Sequence, residues 1–211
     1  MKKIVIFGAG GHGKVVLDIL LESGCSVLGF LDEDPKKKGQ KVSGFKILGD
    51  WSFLKDTKNV DIALGIGNNK IREKIFTKAQ KLGYPVVNAL HPRAVISRDT
   101  KLGIGIVVMA QAVINPGTII EEGVVVNTGA TVDHDCHLHK FCHIWPGAHL
   151  AGTVEIGAYS YIGTGCAVIQ NIQIGKYAII GAGAAVIKNI PDNVTAVGIP
   201  AEVIKQHNTV I

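Results

Sequence analysis

The sequence predicts two domains of different classes, a small α/β domain over residues 1–92 and an all-β solenoid over residues 93–211. Before Pro92, short β-branched runs alternate with segments of helical spacing, which indicates a parallel sheet with connecting helices. After Pro92 the helical spacing disappears, and a branched aliphatic residue recurs at every sixth position. Such a fixed period indicates a repeat architecture.

Three strands and two helices are predicted in the N-terminal domain. The strands cover Lys3–Phe7, Ser26–Leu31 and residues 60–66, and the helices cover residues 14–22 and 71–82. Each helix follows a strand, and this order predicts parallel strands joined by right-handed crossovers.

The period of six runs without insertion or deletion through sixteen aliphatic positions. They are Ile96, Leu102, Val108, Ile114, Ile120, Val126, Val132, Leu138, Ile144, Leu150, Ile156, Ile162, Val168, Ile174, Ile180 and Val186. Four residues after most of them stands a small residue, which fits a tight corner. We therefore expect roughly five three-sided coils, each side one hexapeptide, with the aliphatics stacked inward.

Glycine often follows the aliphatic residue directly, as at Gly157, Gly163, Gly175 and Gly181. We expect them to supply the unrestricted backbone that a turn needs.

Composition limits the classes of partner. The formal charge is +5 over 211 residues, without a dense Lys/Arg stripe, so nucleic acid is not expected as a partner. No apolar run approaches the ~20 residues of a membrane span, and the apolar run at the N-terminus is too short for a signal peptide, so a cytoplasmic protein is expected. The four cysteines include no CxxC pair and are expected to be reduced.

A glycine-rich loop follows the first predicted strand. Gly8, Gly10 and Gly13 form a GxGxxG motif, and Asp32 ends the next strand. Amide groups at a helix N-terminus bind phosphate, and a carboxylate there accepts hydrogen bonds from ribose or base. A domain of about ninety residues has room for half of a dinucleotide fold, which favours a nucleotide-diphosphate sugar over NAD. A purely structural turn is the third alternative.

The hexapeptide array resembles the left-handed parallel β-helix acyltransferases, and VIKNIPDNVTAVGIPAEVIK resembles the closing segment of that family. With GAGGHGK, FLDED, GIGNN and the HP at His91, the whole chain resembles nucleotide-sugar 4-amino N-acetyltransferases and the related sialic acid O-acetyltransferases. The resemblance implies a Rossmann-like nucleotide-sugar-binding domain and acetyl-CoA as acetyl donor. It also implies a homotrimer with the active site between subunits.

Site residues follow from the same resemblance. His12, together with Gly10, Gly11 and Gly13 of the loop, is expected to contact the nucleotide sugar. His143 matches a coenzyme A contact of the family. Asn127 matches a polar residue near the catalytic histidine.

His134 is the candidate general base, because an amine that attacks a thioester must lose a proton and imidazole titrates near neutrality. Asp135 could orient the ring, although successive residues of a strand point to opposite faces, so the contact requires a turn or a neighbouring subunit. The family often has Glu at this position. The same base would serve O-acetylation of a sialic acid, and a non-catalytic nucleotide-sugar-binding scaffold is the alternative outside enzymes.

Gly152 and Asn68 have two interpretations each. Gly152 lies one coil after His134, where its N–H could bind the thioester carbonyl, or it is a simple turn glycine. Gly67 and Asn68 follow a predicted strand end where ligands of parallel sheets bind. Asn68 could equally cap the next helix.

Residues 133–143 are rich in metal-ligand types, and a zinc site is one interpretation of this segment. His137 and His139 flank the inward-facing Leu138, and we expect them to share no coordination centre. The sequence therefore predicts no metal, with both histidines and His149 at the solvent or a trimer interface.

Overall fold

The computed structural model describes residues 3–55, 57 and 59–207. The chain divides into two compact units, Met1–Pro92 and Arg93–Ile211. Among the described residues, no helix combines the length and the apolar character that crossing a membrane requires.

The first unit is built on a five-stranded sheet of order β3-β4-β2-β1-β5. All neighbours run parallel except β3 and β4. A sixth strand, β6, ends the unit, and a 3₁₀ helix over Pro35–Lys37 follows β2. The elements are β1 (Lys3–Phe7), α1 (Gly11–Glu22), β2 (Ser26–Leu31), β3 (Lys41–Val42), β4 (Phe45–Gly49), α2 (Ser52–Lys55), β5 (Val60–Leu64), α3 (Asn69–Lys81) and β6 (Ala89–Leu90).

The predicted strands and helices of this unit are all present; β1 and β2 have the predicted bounds, and the ends of α1, β5 and α3 are shifted. Helix α1 begins at Gly11, three residues before the predicted start, so His12 and Gly13 lie in its first turn. Strand β5 ends at Leu64, because Gly65 approaches Gly8 so closely that a Cβ would lie 2.7 Å from the Gly8 carbonyl oxygen. Strands β3 and β4 were not predicted; they are short, of two and five residues, and are separated only by Ser43 and Gly44.

The second unit is a three-sided prism of two-residue strands. The first face contains β7, β10, β13, β16, β19 and β22, the second β8, β11, β14, β17 and β20, and the third β9, β12, β15, β18 and β21. In chain order they are β7 (Val95–Ile96), β8 (Lys101–Leu102), β9 (Val107–Val108), β10 (Val113–Ile114), β11 (Ile119–Ile120), β12 (Val125–Val126), β13 (Thr131–Val132), β14 (His137–Leu138), β15 (His143–Ile144), β16 (His149–Leu150), β17 (Glu155–Ile156), β18 (Tyr161–Ile162), β19 (Ala167–Val168), β20 (Gln173–Ile174), β21 (Ile179–Ile180) and β22 (Ala185–Val186).

Each strand pairs in parallel with the strand eighteen residues later, as Ile114 does with Val132 and Val132 with Leu150. The second residue of every strand is one of the sixteen aliphatic positions. All are buried except Ile96 and Leu102, which belong to the first coil. The small residues four positions later are buried too, among them Cys136, Cys142 and Cys166. The predicted stacked core is confirmed.

The role predicted for the glycines after the aliphatic residues is wrong. Gly157 and Gly163 do not have positive φ. They are small because a Cβ at either position would lie 2.5 Å from backbone of the next coil. The left-handed backbone occurs instead two residues further on, where Gly147 has φ +62° and Asp135 has φ +58°. Non-glycine residues occupy several of these turns at a cost in backbone strain.

An antiparallel hairpin ends the prism. It consists of β23 (Val194–Val197), which pairs with β21 on the third face, and β24 (Glu202–Gln206). It coincides with the closing segment expected from the sequence. Parallel short strands on three sides, one hexapeptide per side, are typical of the left-handed β-helix.

Candidate active site

A cavity of about 340 Å³ opens above the carboxyl ends of β1 and β5 in the first unit. Gly10, Gly11 and His12 line one side of it, and Gly67 lines another. Neither Gly10 nor Gly11 has an atom within 4 Å of where a Cβ would stand, so the loop presents bare backbone to the cavity. Helix α1 begins there with Gly10 as N-cap and without a side-chain cap. Its first amide groups are therefore suited to binding phosphate.

Gly13 has a packing role and does not line this cavity. A Cβ on Gly13 would collide with the carbonyl oxygen of Gly8, which itself has φ +110°. The third glycine of the motif thus lets α1 pack closely on the end of β1, as such glycines do in dinucleotide-binding turns.

Asp32 lines the cavity and fixes the glycine-rich loop. Its Oδ2 accepts hydrogen bonds from the Ala9 N–H at 3.2 Å and from Lys37 Nζ at 2.8 Å, and its Oδ1 accepts one from the Asp34 N–H at 3.0 Å. Partial burial acts to raise the pKa of Asp32, but the hydrogen bonds from Lys37, Asp34 and Ala9 outweigh it and the pKa lies below its usual value. The carboxylate is thus ionised at neutral pH.

The structure favours the capping interpretation of Asn68. Its Oδ1 accepts a hydrogen bond from the Ile71 N–H at 3.0 Å, as an N-cap of α3 does. A contact between Asn68 and a ligand stays a prediction. Gly67, its neighbour, lies in the cavity wall within 3.9 Å of His12, measured from where a Cβ would stand.

Arg72 was missed in the sequence. It is fully buried in α3, and its Nη1 donates to the carbonyl oxygens of Leu64 at 2.9 Å and Ile66 at 3.1 Å. Burial lowers the pKa of Arg72 to about 9. The guanidinium therefore holds the turn that carries Gly65 and Gly67. The sequence feature that could have identified Arg72 is a cation on the apolar face of a predicted helix.

In the second unit, His134 and Asp135 meet at the turn that follows β13. His134 Nδ1 lies 2.8 Å from Asp135 Oδ2. The contact forms because Asp135 adopts φ +58°, which breaks the strand alternation that otherwise sends neighbouring side chains to opposite faces. With Nδ1–H donated to the carboxylate, Nε2 carries the lone pair that accepts a proton.

Asp133, the residue before His134, supports the turn and is itself held by Asn115 one coil earlier. Its Oδ1 accepts from Asn115 Nδ2 at 2.7 Å and from the His134 N–H at 2.8 Å. The hydrogen bond to Asp135 raises the pKa of His134 above its ordinary value, desolvation opposes this increase, and the charges of Asp133 and Asp135 add to it. Two carboxylates thus stabilise the imidazolium.

Gly152 lies directly against the imidazole. A Cβ on Gly152 would stand 2.6 Å from both Cε1 and Nε2 of His134. Gly152 lies in a turn, but its φ is not positive, so the backbone conformation of the turn does not by itself require glycine there. The residue is glycine because the ring of His134, one coil earlier, occupies the space of a side chain.

His143 and Asn127 come together on the third face. Asn127 Nδ2 lies 3.0 Å from His143 Nε2, and His143 is buried. The rings of Trp145 and Tyr161 surround His143 at centroid distances of 5.3 and 6.2 Å. The structure therefore brings Asn127 next to His143, whereas the expectation from the sequence was a position near His134, the candidate base.

The cysteines near these residues are poor nucleophiles. Burial raises the pKa of Cys136 and of Cys142, and it raises the pKa of Cys166 to about 11. Because the thiolate is the reactive form, the geometry favours direct attack of an acceptor on a thioester over a cysteine-bound acyl intermediate.

The positions of His137 and His139 differ from those expected from the sequence. They were expected to share no centre, yet both rings turn toward Glu121, with His137 Nε2 at 2.9 Å and His139 Nδ1 at 3.1 Å from Glu121 Oε1. The rings stack at 4.0 Å. Burial acts to raise the pKa of Glu121, but the hydrogen bond from His137 and further contacts hold it below its usual value. The rings converge because His137 and His139 flank the inward-facing Leu138, and residues two positions apart on a strand point to the same face.

Comparison with known proteins gives two family matches. The PglD N-terminal domain matches residues 3–79, and the bacterial transferase hexapeptide repeat matches residues 135–170. GDP-perosamine N-acetyltransferase of Escherichia coli O157:H7 is 33% identical over 168 residues, which is 75% of this chain and 74% of that protein. The chain spans 20% of the length of one further curated relative and 52% of another.

Solved structures match along the whole chain. The acetyltransferase domain of PglB from Neisseria gonorrhoeae FA1090 in complex with acetyl coenzyme A is 41% identical, with a TM-score of 0.91 over 96% of this chain and 99% of that one. PerB from Caulobacter crescentus in complex with CoA and GDP-perosamine is 39% identical, with a TM-score of 0.92 over 97% and 98%. The expected fold, a Rossmann-like α/β domain followed by a left-handed parallel β-helix, is confirmed. The chain belongs to the hexapeptide-repeat family of acetyl-CoA-dependent nucleotide-sugar N-acetyltransferases.

Proposed function

We propose that this chain transfers acetyl from acetyl-CoA to the amine of a nucleoside-diphosphate-linked 4-amino-4,6-dideoxyhexose, with His134 as general base. The observation that carries the proposal is the His134–Asp135 contact of 2.8 Å, which leaves Nε2 as the proton acceptor. The relatives that act on GDP-perosamine and UDP-N-acetylbacillosamine support this substrate class.

The reaction balances without a covalent enzyme intermediate. The amine nitrogen attacks the thioester carbonyl carbon, and its proton passes to His134 Nε2 as the tetrahedral intermediate forms. The C–S bond then breaks, and the coenzyme A thiolate takes up the proton held by His134, which regenerates the neutral base. Asp135 holds Nδ1–H and stabilises the imidazolium. The Gly152 N–H is assigned to the carbonyl oxygen of the thioester, next to the ring of His134.

The nucleotide sugar is assigned to the cavity of the first unit. The bare backbone at Gly10 and Gly11 suits the diphosphate, and His12 faces the same space. Asp32 is ionised and lies in the wall of the cavity, where it accepts from ribose or base. A cavity of about 340 Å³ is within the range of ligand pockets.

Acetyl-CoA is assigned to His143 and its neighbours. The protein itself is assigned as a cytoplasmic homotrimer. His143 belongs to the third face and His134 to the turn that leaves the first face, so the two lie on different sides of one prism. This separation supports an active site in which His134 of one subunit meets acetyl-CoA bound by His143 of another. Mixing His134→Ala and His143→Ala protomers before reassembly is then expected to restore part of the activity that each variant lacks.

The test is release of free coenzyme A over a panel of UDP-, dTDP- and GDP-linked 4-amino-dideoxyhexoses and free sialic acid. Turnover on an amino sugar should fall roughly 10²- to 10⁴-fold in His134→Asn, the usual contribution of a general base. The matched control is His149→Asn, an exposed histidine on the same prism, which should keep its rate. Turnover on sialic acid alone, or none on the panel by a protein with an intact fold, contradicts the proposal.

A further inference from the structure

Four ionisable side chains converge on the second face, away from His134. Glu121 comes from one coil, His137 and His139 from the next, and Glu155 from the third. The ligand-type atoms of Glu121, His137 and His139 all lie within 4.8 Å of one another. All four side chains are at least half-buried.

His139 has carboxylates on both ring nitrogens. Nδ1 lies 3.1 Å from Glu121 Oε1, and Nε2 lies 2.7 Å from Glu155 Oε1. A neutral imidazole carries one N–H and can donate to only one of them. A cation bound at Nδ1 would leave the single N–H on Nε2 for Glu155, so that each ring nitrogen has a partner.

The ligand geometry suits a metal ion. Two imidazole nitrogens and one carboxylate oxygen form a common catalytic-type zinc ligand set, with a fourth position left for water. Ligand atoms about 2.0–2.1 Å from a tetrahedral ion lie about 3.3 Å apart. The contacts of 2.9 and 3.1 Å to Glu121 Oε1 need to open by a few tenths of an ångström, and the two histidine nitrogens, which lie within 4.8 Å of each other, need to adjust to the same spacing.

Glu155 completes the pattern. A metal-bound histidine usually donates its other ring N–H to a carboxylate, which fixes the tautomer and the ring orientation. Glu155 is in that position relative to His139 at 2.7 Å. Lys140 contributes a backbone N–H to Glu121 Oε2 at 3.1 Å, which holds the carboxylate in place.

We propose that Glu121, His137 and His139 bind a divalent transition-metal ion of the zinc class, with Glu155 as the outer partner of His139. The ion joins two successive coils directly and a third through Glu155, so it stabilises the prism. It lies outside the acetyl-transfer chemistry assigned to His134. This proposal differs from the prediction from sequence that no metal binds, and it rests on the side-chain geometry of the three residues.

The experiment uses the full-length protein without an affinity tag, dialysed against EDTA and then against buffer. Co²⁺ is titrated in, and the visible d–d absorption of a four-coordinate ion is measured, followed by displacement with Zn²⁺. We expect one Co²⁺ per chain that Zn²⁺ displaces, and a thermal midpoint that rises with Zn²⁺. His139→Ala should lose both signals, and Glu155→Ala should weaken binding by roughly 10- to 100-fold.

His149→Ala is the matched control, because His149 is an exposed histidine outside the cluster, and it should bind as the wild type does. Circular dichroism shows whether each variant is folded, and His137→Asn provides a milder second test if His139→Ala does not fold. Absence of Co²⁺ uptake by the folded wild type refutes the site. Equal uptake by folded His139→Ala also refutes it, because the ion then binds elsewhere.

Discussion

Replacing Gly152 with alanine tests whether the position of the His134 ring determines the rate. The new Cβ would stand 2.6 Å from Cε1 and Nε2 of His134, whereas carbon atoms in ordinary contact are at least about 3.5 Å apart. The imidazole must therefore move by roughly 1 Å, and a misplacement of that size can lower a rate by about 10²-fold. The fold should change little, because His134 is more than half exposed and its ring has room to move.

The assay is coenzyme A release at saturating substrates, together with the thermal midpoint. Gly183→Ala is the control, since a Cβ there meets nothing within 4 Å but the backbone has φ +68°. Gly183→Ala should lower the thermal midpoint and keep kcat, whereas Gly152→Ala should keep the thermal midpoint and lower kcat. A Gly152→Ala enzyme with a kcat within about twofold of wild type would show that the ring position is not critical.

Three more predictions concern charge, loop support and thiols. Asp135→Asn removes the contact that raises the pKa of His134, so the acid limb of the pH profile of kcat/KM should shift to lower pH, and an unshifted limb would exclude His134 as the group observed. Arg72→Met leaves two buried carbonyl oxygens without their guanidinium donor, so it should cost about 2–4 kcal/mol in urea unfolding and raise KM for the nucleotide sugar more than it changes kcat. An unchanged KM would show that Arg72 contributes to stability and not to binding of the nucleotide sugar. Iodoacetamide at neutral pH should leave the native enzyme active, because the three buried cysteines hold raised pKa values.

The repeat of the second unit could be predicted almost completely from the sequence. One aliphatic residue per hexapeptide identifies the inward position, and every such residue is the second residue of a strand. The turn backbone could not be predicted in the same way, because residues as different as Gly147, Tyr159 and Asn171 share the positive-φ position. Glycine after the aliphatic residue is explained by the approach of the next coil, which depends on pairing across eighteen residues.

The site was predicted in part. His134 and Asp135 are adjacent in sequence, but their contact depends on the φ of Asp135, which no residue pattern indicated. Arg72 and Glu121 were overlooked because each acts on residues that are distant in sequence or that belong to another element. Side-chain direction at a turn and hydrogen bonding between coils were the missing information.

The eighteen-residue pitch explains why the surroundings of His134 are not visible in the adjacent sequence. Asn115 lies eighteen residues before Asp133 and bonds to it, and Gly152 lies eighteen residues after His134 and receives its ring. A residue at one turn is therefore positioned by its equivalents in the coils before and after, more than by its neighbours in sequence. It follows that substitutions eighteen residues from His134 should alter catalysis more than substitutions three or four residues away on exposed positions.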